Sequence, residues 1–147
     1  INQLLVQGNE CERCRGIVIQ GTDYAYSSPT PLLTNIIVKD NVCTGSSAFS
    51  GCLGGGIFVD EALPQFDNLL VEQNSTLNYN GGGMGFDFNW WPTSYPESVL
   101  LKNTQIINNS AGDYGGGIYL DDAPIKLEKV LVSKTLILMI LYHLNNV

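Results

Sequence analysis

The stretch Gly54-Gly55-Gly56-Ile57-Phe58-Val59-Asp60 decides the fold class, because the chain repeats it. Three glycines, a short apolar run and a closing aspartate occur again at 81–87 and 115–121, and a diverged copy lies at 14–20. Glycine turns a backbone corner at little steric cost, whereas β-branched and aromatic residues favour strands. The motif therefore predicts a tight corner followed by a strand that ends at a polar residue.

A second element recurs at nearly the same spacing and consists of an apolar run closed by asparagine. Its copies are 3–9, 35–41, 68–74 and 103–109, and a fifth copy begins at Lys129. The closing asparagines are 32, 33 and 35 residues apart. A third apolar element lies upstream at a constant offset and contains Leu33, Phe66, Leu101 and Leu127. Three short strands in a constant order, separated by loops of variable length, are typical of stacked repeats.

The repeats predict an all-β fold of one specific kind. Glycine triplets and β-branched runs oppose a helical repeat, and a propeller blade has four strands where we find three. We predict a single-stranded right-handed parallel β-helix, a solenoid of about four to five coils with three short strands each, over residues 1–134. Its inward columns are predicted to be Ile17/Ile57/Met84/Ile118, Ile19/Val59/Phe86/Leu120, Leu33/Phe66/Leu101/Leu127, and either Leu5/Ile37/Leu70 or the column beside it.

The segment Gly115-Gly116-Gly117-Ile118-Tyr119, preceded by Asn109-Ser110-Ala111-Gly112, resembles the repeats of pectin-lyase-like parallel β-helix surface proteins. It is similar to the Gly-Gly-Ala-Ile repeats of the chlamydial polymorphic outer-membrane proteins. The resemblance covers residues 3–133 at the level of the repeat pattern. It implies a right-handed β-helix at a cell surface, in a fold that also hosts enzymes acting on polysaccharides.

Residues 135–147 depart from the repeat pattern. They contain neither glycine nor proline and include an apolar run from Leu136 to Tyr142. A membrane span needs about 20 apolar residues, so this run is too short to cross a bilayer. Two interpretations stay open: the tail caps the last coil, or it is a gene-model artefact.

Charge and composition limit the classes of partner. The formal net charge is −7, and the seven Lys and Arg are spread singly along the chain. A nucleic acid or an anionic membrane surface would need a basic stripe, so neither is expected as a partner. Low charge with abundant Gly, Asn, Ser and Thr suggests an extracellular β-protein. The chain opens on Ile1, which indicates a processed form or a fragment.

The four cysteines predict two disulfides between coils. Cys11 and Cys43 each follow a closing asparagine by two residues, so stacking would place them one above the other. Cys14 and Cys52 both lie at the glycine corner and form the second predicted pair. Cys11-x-x-Cys14 also has the spacing of a zinc site, but no second such pair exists. We favour the bridges Cys11–Cys43 and Cys14–Cys52, which imply an oxidising compartment.

The closing asparagines have two interpretations. Stacked inward, Asn9, Asn41, Asn74 and Asn109 can hydrogen-bond to one another and to the turn backbone. Asn74-Ser75-Thr76 and Asn108-Asn109-Ser110 are also glycosylation sequons. We place Asn74 in the ladder, where it would be a poor acceptor of a glycan, and name Asn108 as the better glycosylation site.

The aspartates that end the glycine strands are the one constellation with potential chemistry. Asp60, Asp87 and Asp121 form a column, with Glu61 and Asp122 adjacent. Stacked carboxylates repel unless they are separated, protonated or bridged by a cation. Three interpretations stay open: each aspartate caps its own turn, the column binds calcium, or paired carboxylates hydrolyse a polysaccharide.

The tryptophans are the remaining candidate contact. Trp90 and Trp91 are adjacent, with Tyr95 nearby, in a proline-containing loop after the third glycine strand. They either stack on a sugar or a protein partner, or fold over the flank of the solenoid and shield it.

These observations predict a secreted or cell-surface structural or adhesive glycoprotein without catalysis and without a required cofactor. Its partners would be other extracellular proteins or further coils of the same protein. The alternative is a protein that binds or cleaves polysaccharide with the Asp60, Asp87 and Asp121 face.

Overall fold

The structure is a computed structural model that describes residues 1–13, 15–21, 30–45, 52–88, 98–135 and 139–141. These residues form strands and no helix, so the predicted all-β class is confirmed. It follows that none of them belongs to a helix long and apolar enough to cross a membrane.

The strands form three sheets, and each sheet collects one type of element from successive repeats. Sheet 1 contains β1 (Asn2–Gln7), β4 (Leu32–Lys39), β7 (Gln65–Glu72), β10 (Val99–Ile107) and β13 (Ile125–Ser133), in that order. Sheet 2 contains β2 (Glu10–Cys11), β5 (Val42–Cys43), β8 (Ser75–Thr76) and β11 (Ser110–Ala111). Sheet 3 contains β3 (Ile17–Gln20), β6 (Ile57–Asp60), β9 (Met84–Asp87), β12 (Ile118–Asp121) and β14 (Met139–Leu141).

All of these strand pairs are parallel, and their register follows the sequence repeats. In sheet 1, Ile36 lies opposite Leu69, and Phe66 lies opposite Leu101. In sheet 3, Ile57 lies opposite Met84. Residues at equivalent positions of successive repeats are therefore direct cross-strand neighbours, as the spacing predicted. We call each such set a column.

The core lies between sheet 1 and sheet 3 and contains the predicted columns of the glycine strands. The largest fully buried side chains in it include Phe66, Phe86, Ile57 and Met84. The structure also decides which of the two candidate columns in sheet 1 faces the core. The column Leu5/Ile37/Leu70 faces outward, with Leu5 58% exposed, and the two columns beside it, Leu4/Ile36/Leu69 and Val6/Val38/Val71, face the core.

A left-handed residue in the middle of each sheet 1 strand explains this alternation. Asn35, Asn68 and Asn103 have φ values of 56°, 59° and 47°, and the equivalent Gln3 and Lys129 also have positive φ. Asparagine tolerates this conformation better than most residues. The strand bends at this residue, so the alternation of inward-facing and outward-facing side chains starts again after the bend. Asn68 Nδ2 also donates to Asn35 Oδ1 at 2.7 Å on the exposed side.

A buried asparagine ladder (Asn9, Asn41, Asn74 and Asn109) joins the repeats, and this prediction is confirmed. Asn74 shows the pattern: its Nδ2 donates to Asn109 Oδ1 at 3.1 Å and to Val38 O at 2.9 Å. Its Oδ1 accepts from Asn41 Nδ2 at 2.8 Å and from the Asn41 backbone N–H at 3.1 Å. One side chain thus makes four buried hydrogen bonds and links its own repeat to both neighbouring repeats. Within the described part of the chain no buried side-chain nitrogen or oxygen lacks a partner.

The third glycine of each triplet packs directly against this ladder. A Cβ at Gly56 would lie 2.6 Å from Gly83 O and 2.9 Å from Asn74 Cγ. A Cβ at Gly83 would lie 2.5 Å from Gly117 O and 3.0 Å from Asn109 Cγ. Both distances to oxygen are shorter than real Cβ contacts, so any larger residue would push the repeats apart. The glycine triplet therefore turns the chain and also lets neighbouring repeats pack closely against each other.

The disulfide connects Cys43 to Cys52, with Cα atoms 5.6 Å apart and both side chains buried. The predicted bridges Cys11–Cys43 and Cys14–Cys52 are therefore wrong. Cys11 and Cys43 are direct Cα partners in sheet 2, as expected from the repeat, but the chain after β5 returns Cys52 to Cys43. A four-cysteine zinc site is excluded with them, because sulfurs in a disulfide cannot act as thiolate ligands. Cys14 lies outside the described residues.

Three residues of the atypical tail extend sheet 3. In β14, Met139, Ile140 and Leu141 pair with Tyr119, Leu120 and Asp121 of β12, in the register of the earlier repeats. The rest of 136–147 lies outside the described residues, and the two interpretations of the tail stay open.

The ladder leads to a prediction about stability, in which a buried member, Asn74, is compared with the exposed member Asn9. Asn74→Ala removes four buried hydrogen bonds and leaves several groups of neighbouring repeats unsatisfied, so we expect a loss of about 3 kcal/mol or more. Asn9→Ala, at the exposed end, removes only the bond that Asn9 Nδ2 donates to Asn41 Oδ1 and keeps the backbone bond, so it should cost about 1 kcal/mol. Urea unfolding measures both changes. Equal shifts of the two urea midpoints would contradict a larger contribution of the buried asparagine to stability.

Candidate functional site

The predicted aspartate column lies at the carboxyl end of the strands of sheet 3. Asp60 is the direct partner of Asp87, and Asp87 is the direct partner of Asp121. Gln20 precedes the column and Leu141 follows it. Parallel neighbours lie about 4.8 Å apart, so three half-buried carboxylates follow one another along one edge.

The chain turns immediately after this column. Glu61 and Asp122, the residues after Asp60 and Asp121, have φ values of 49° and 50°. The backbone pairing continues into the turn, since the Glu61 N–H donates to Asp87 O at 3.0 Å. The column therefore marks the point where each strand ends.

The carboxylates of the column take part in interactions. Gln20 Nε2 donates to Asp60 Oδ2 at 2.9 Å, and Asp87 and Asp121 also make interactions. Across the described ranges, no group of three or more His, Cys, Asp or Glu side chains has the geometry to hold a metal ion. In the described residues the column is thus a row of engaged carboxylates without the geometry of a metal site.

An aromatic cluster covers the outward face of sheet 3 beside the column. We call Leu53, Phe58, Tyr79 and Tyr119 the outer cluster; Phe58 is 8% and Tyr119 9% exposed. Gly85 is the direct partner of both Phe58 and Tyr119 and separates the two rings. A Cβ at Gly85 would lie 2.7 Å from Leu53 Cγ, so Leu53 fills the space that this glycine leaves.

Arg15 closes one end of the outer cluster. Its guanidinium carbon lies 4.1 Å from the centre of the Phe58 ring, and its Nε donates to Leu53 O at 2.8 Å. Burial lowers the pKa of Arg15, while the negative charge of Asp60 acts in the opposite direction. Arginine stays charged over the working pH range, so the contact places a fixed positive charge on the aromatic face.

Tyr119 connects the outer cluster to the aspartate column electrostatically. Burial raises the pKa of its hydroxyl, and the charges of Asp121 and Asp87, together with Tyr79, raise it further. A hydrogen bond with Asn80 opposes this shift. The hydroxyl of Tyr119 therefore stays neutral well above neutral pH.

The outer cluster was not predicted, although the sequence contains part of the signal for it. Phe58 and Tyr119 occupy the middle of the glycine strands, between two inward residues, so alternation alone points them outward. The two aromatics at equivalent positions were the signal. Leu53 and Tyr79 could not have been assigned, because they reach the cluster from connecting segments. The predicted contact residues Trp90, Trp91 and Tyr95 lie outside the described residues.

The two sequons have opposite environments. Asn74 is 1% exposed, and its amide is fully engaged in the ladder, so it cannot carry a glycan in the folded protein. The sequon at Asn74 is therefore closed to glycosylation by burial and hydrogen bonding, as its predicted place in the ladder implies. Asn108 is exposed and has a φ of 57°, at the corner before the ladder.

Comparison of the chain with protein-family models, with curated proteins and with solved structures finds no match.

The pKa of Tyr119 gives a prediction about alkaline stability. A pKa raised on folding contributes stability that is complete below about pH 10 and is lost as the pH rises through the folded-state pKa. We expect unfolding midpoints to fall as the pH rises above about 10 in the wild-type protein, and to fall less in Tyr119→Phe.

Two further variants test the cause of this shift. Asp121→Asn should lower the pKa of Tyr119, read from tyrosinate absorbance, whereas Asp40→Asn at a distant corner should leave the titration unchanged. An unchanged titration in Asp121→Asn would contradict the electrostatic link.

Proposed function

We propose that the chain is a non-catalytic extracellular scaffold with adhesive contacts, built as a right-handed parallel β-helix of about four to five coils with three short strands each. The parallel order of all three sheets supports this architecture, since each strand pairs with its equivalent one repeat away. The resemblance to β-helix surface proteins agrees with it.

The observation that carries the scaffold function is the ladder with its glycines. Asn41, Asn74 and Asn109 are each 1% exposed and bonded across repeats, and the corner glycines admit no side chain. Among the described residues, these tightly packed positions hold the repeats together, which is expected of a structural rod rather than of an active site.

Two features support an extracellular location. The buried Cys43–Cys52 disulfide fits an oxidising compartment, because cytosolic thiols are kept reduced. The exposed sequon at Asn108 is accessible to the glycosylation machinery. Adhesive partners would contact the outward face of sheet 1 or the loops between strands.

Carbohydrate binding at the aspartate column is the second candidate. One observation favours it: Asp60, Asp87 and Asp121 lie beside an aromatic cluster, and carboxylates next to aromatic rings suit sugar hydroxyls and ring faces. Against it, Phe58 and Tyr119 are nearly buried and offer no open stacking platform. The scaffold function is therefore the better supported of the two.

Secretion tests the extracellular location. Expressed with a signal peptide in a eukaryotic host, the protein should carry an N-glycan that Asn108→Gln removes and Asn74→Gln does not affect. Peptide mapping without reductant should recover the Cys43–Cys52 bridge. An unglycosylated product with free thiols at Cys43 and Cys52 would overturn the extracellular assignment.

A polysaccharide panel separates the two functions. The scaffold function predicts no new reducing ends and no retention on acidic or neutral polysaccharides, for the wild-type protein and for the triple variant Asp60→Asn, Asp87→Asn, Asp121→Asn alike. Binding or cleavage that the triple variant abolishes would establish the carbohydrate function instead. The distant variant Asp40→Asn controls for the change in net charge.

A further inference from the structure

The step from Asn80 to Gly81 is chemically distinct from the rest of the sequence. It is the only place in the chain where glycine directly follows asparagine. The backbone nitrogen of the next residue can attack an asparagine side chain, and glycine has no side chain to hinder that approach. Asparagine is accordingly counted among the thermolabile residues. Leu53 and Tyr114 precede the other two glycine triplets, so only one triplet carries the reactive pair.

Tyr114, in the next repeat, holds both reacting groups of this step. The Tyr114 backbone N–H donates to Asn80 Oδ1 at 2.9 Å, and the Gly81 backbone N–H donates to Tyr114 O at 2.9 Å. We call these two bonds the Tyr114 clamp. Asn80 is also only 9% exposed. The attacking nitrogen and the attacked amide are therefore each bonded to Tyr114 in the folded protein, and the reaction between them is held back.

The Tyr114 clamp is carried by an exposed turn. Gly112, Asp113 and Tyr114 are all exposed, with 43% of Tyr114 open to solvent. The turn is joined to the preceding repeat by the Gly112 N–H, which donates to Thr76 O at 2.8 Å, and by the Asp113 N–H, which donates to Tyr79 O at 3.3 Å. Exposed segments of this kind open at a lower free energy than the core. The clamp can therefore open while the core columns stay intact.

We propose that Asn80 is a deamidation site and that opening of the Tyr114 clamp sets its rate. When the turn opens, the Gly81 nitrogen loses its proton to solvent and attacks Asn80 Cγ. The new C–N bond closes a cyclic imide, and the bond from Cγ to the side-chain nitrogen breaks, so that ammonia leaves with a proton from solvent. Water then adds to either carbonyl of the imide and opens the ring. The product at position 80 is aspartate or isoaspartate, and no oxidant or reductant takes part.

The two products differ in what the fold can accept. Aspartate loses the amide donor and places a carboxylate beside the Tyr119 hydroxyl, with which Asn80 forms a hydrogen bond. Isoaspartate inserts a methylene into the backbone at a corner where the Gly54 N–H donates to Asn80 O at 3.2 Å. The insertion shifts the corner out of register with its neighbour, so isoaspartate should lower stability more than aspartate. The reaction needs only water and is independent of the proposed scaffold function.

Peptide mapping of the full chain tests the proposal. The protein is incubated at mildly alkaline pH, folded in buffer or unfolded in urea, and mass spectrometry follows the amide loss at each asparagine. In urea, Asn80 should deamidate faster than every other asparagine, and Asn80→Gln should remove this reaction. In the folded protein the rate should fall at least about tenfold, by a factor close to the hydrogen-exchange protection of the Gly81 amide. Equal rates in the two states, or a faster asparagine in urea, would overturn the proposal.

Two matched glycine variants separate opening of the clamp from unfolding of the whole chain. A Cβ at Gly112 would collide with Leu77 O, so Gly112→Ala displaces the turn that carries the clamp. A Cβ at Gly16 would lie 2.6 Å from Gly56 O, so Gly16→Ala causes a similar collision in a different repeat. In the folded state, Gly112→Ala should deamidate at least about fivefold faster than the wild-type protein, and Gly16→Ala at about the wild-type rate.

A rate in Gly112→Ala that does not exceed those of the wild-type protein and Gly16→Ala would overturn control by the clamp. Unfolding midpoints check that both variants are folded. If Gly112→Ala does not fold, the wild-type protein in urea below its unfolding transition gives the decision. Opening of a small turn exposes little surface, so the rate at Asn80 should change little with urea. A steep rise would indicate that only global unfolding exposes Asn80, which also overturns the proposal.

Discussion

The structure depends on a hydrogen-bonded asparagine ladder that can form only where the backbone carries no side chain. The side-chain oxygens of Asn41, Asn74 and Asn109 each accept two bonds from one neighbouring repeat. The amide nitrogens of Asn41 and Asn74 each donate to the next asparagine and to a strand carbonyl. Gly56 and Gly83 approach these amides within about van der Waals contact, which a Cβ would prevent. The ladder sets the register of the strands, and the glycines allow the repeats to come close enough for the ladder to exist.

This coupling explains why the strands are regular while the connections vary. A change in loop length leaves the ladder, the corner and the core columns in place, provided that the chain returns to the same three positions. The residues between Asp60 and Gln65 and those between Asp121 and Ile125 make this return in a few residues with a left-handed turn. A few positions per repeat thus fix the register, and these positions carry the periodic signal in the sequence.

The periodic part of the fold was therefore predictable, and the remainder was not. Parallel pairing, the core columns and the ladder follow from equal spacing. The disulfide was not predictable, because register aligns Cys11 with Cys43 but says nothing about where the chain returns at Cys52. The aspartate column was predictable as a row. The outer cluster beside it was not, since Leu53 and Tyr79 reach the rings from connecting segments whose path is a tertiary property.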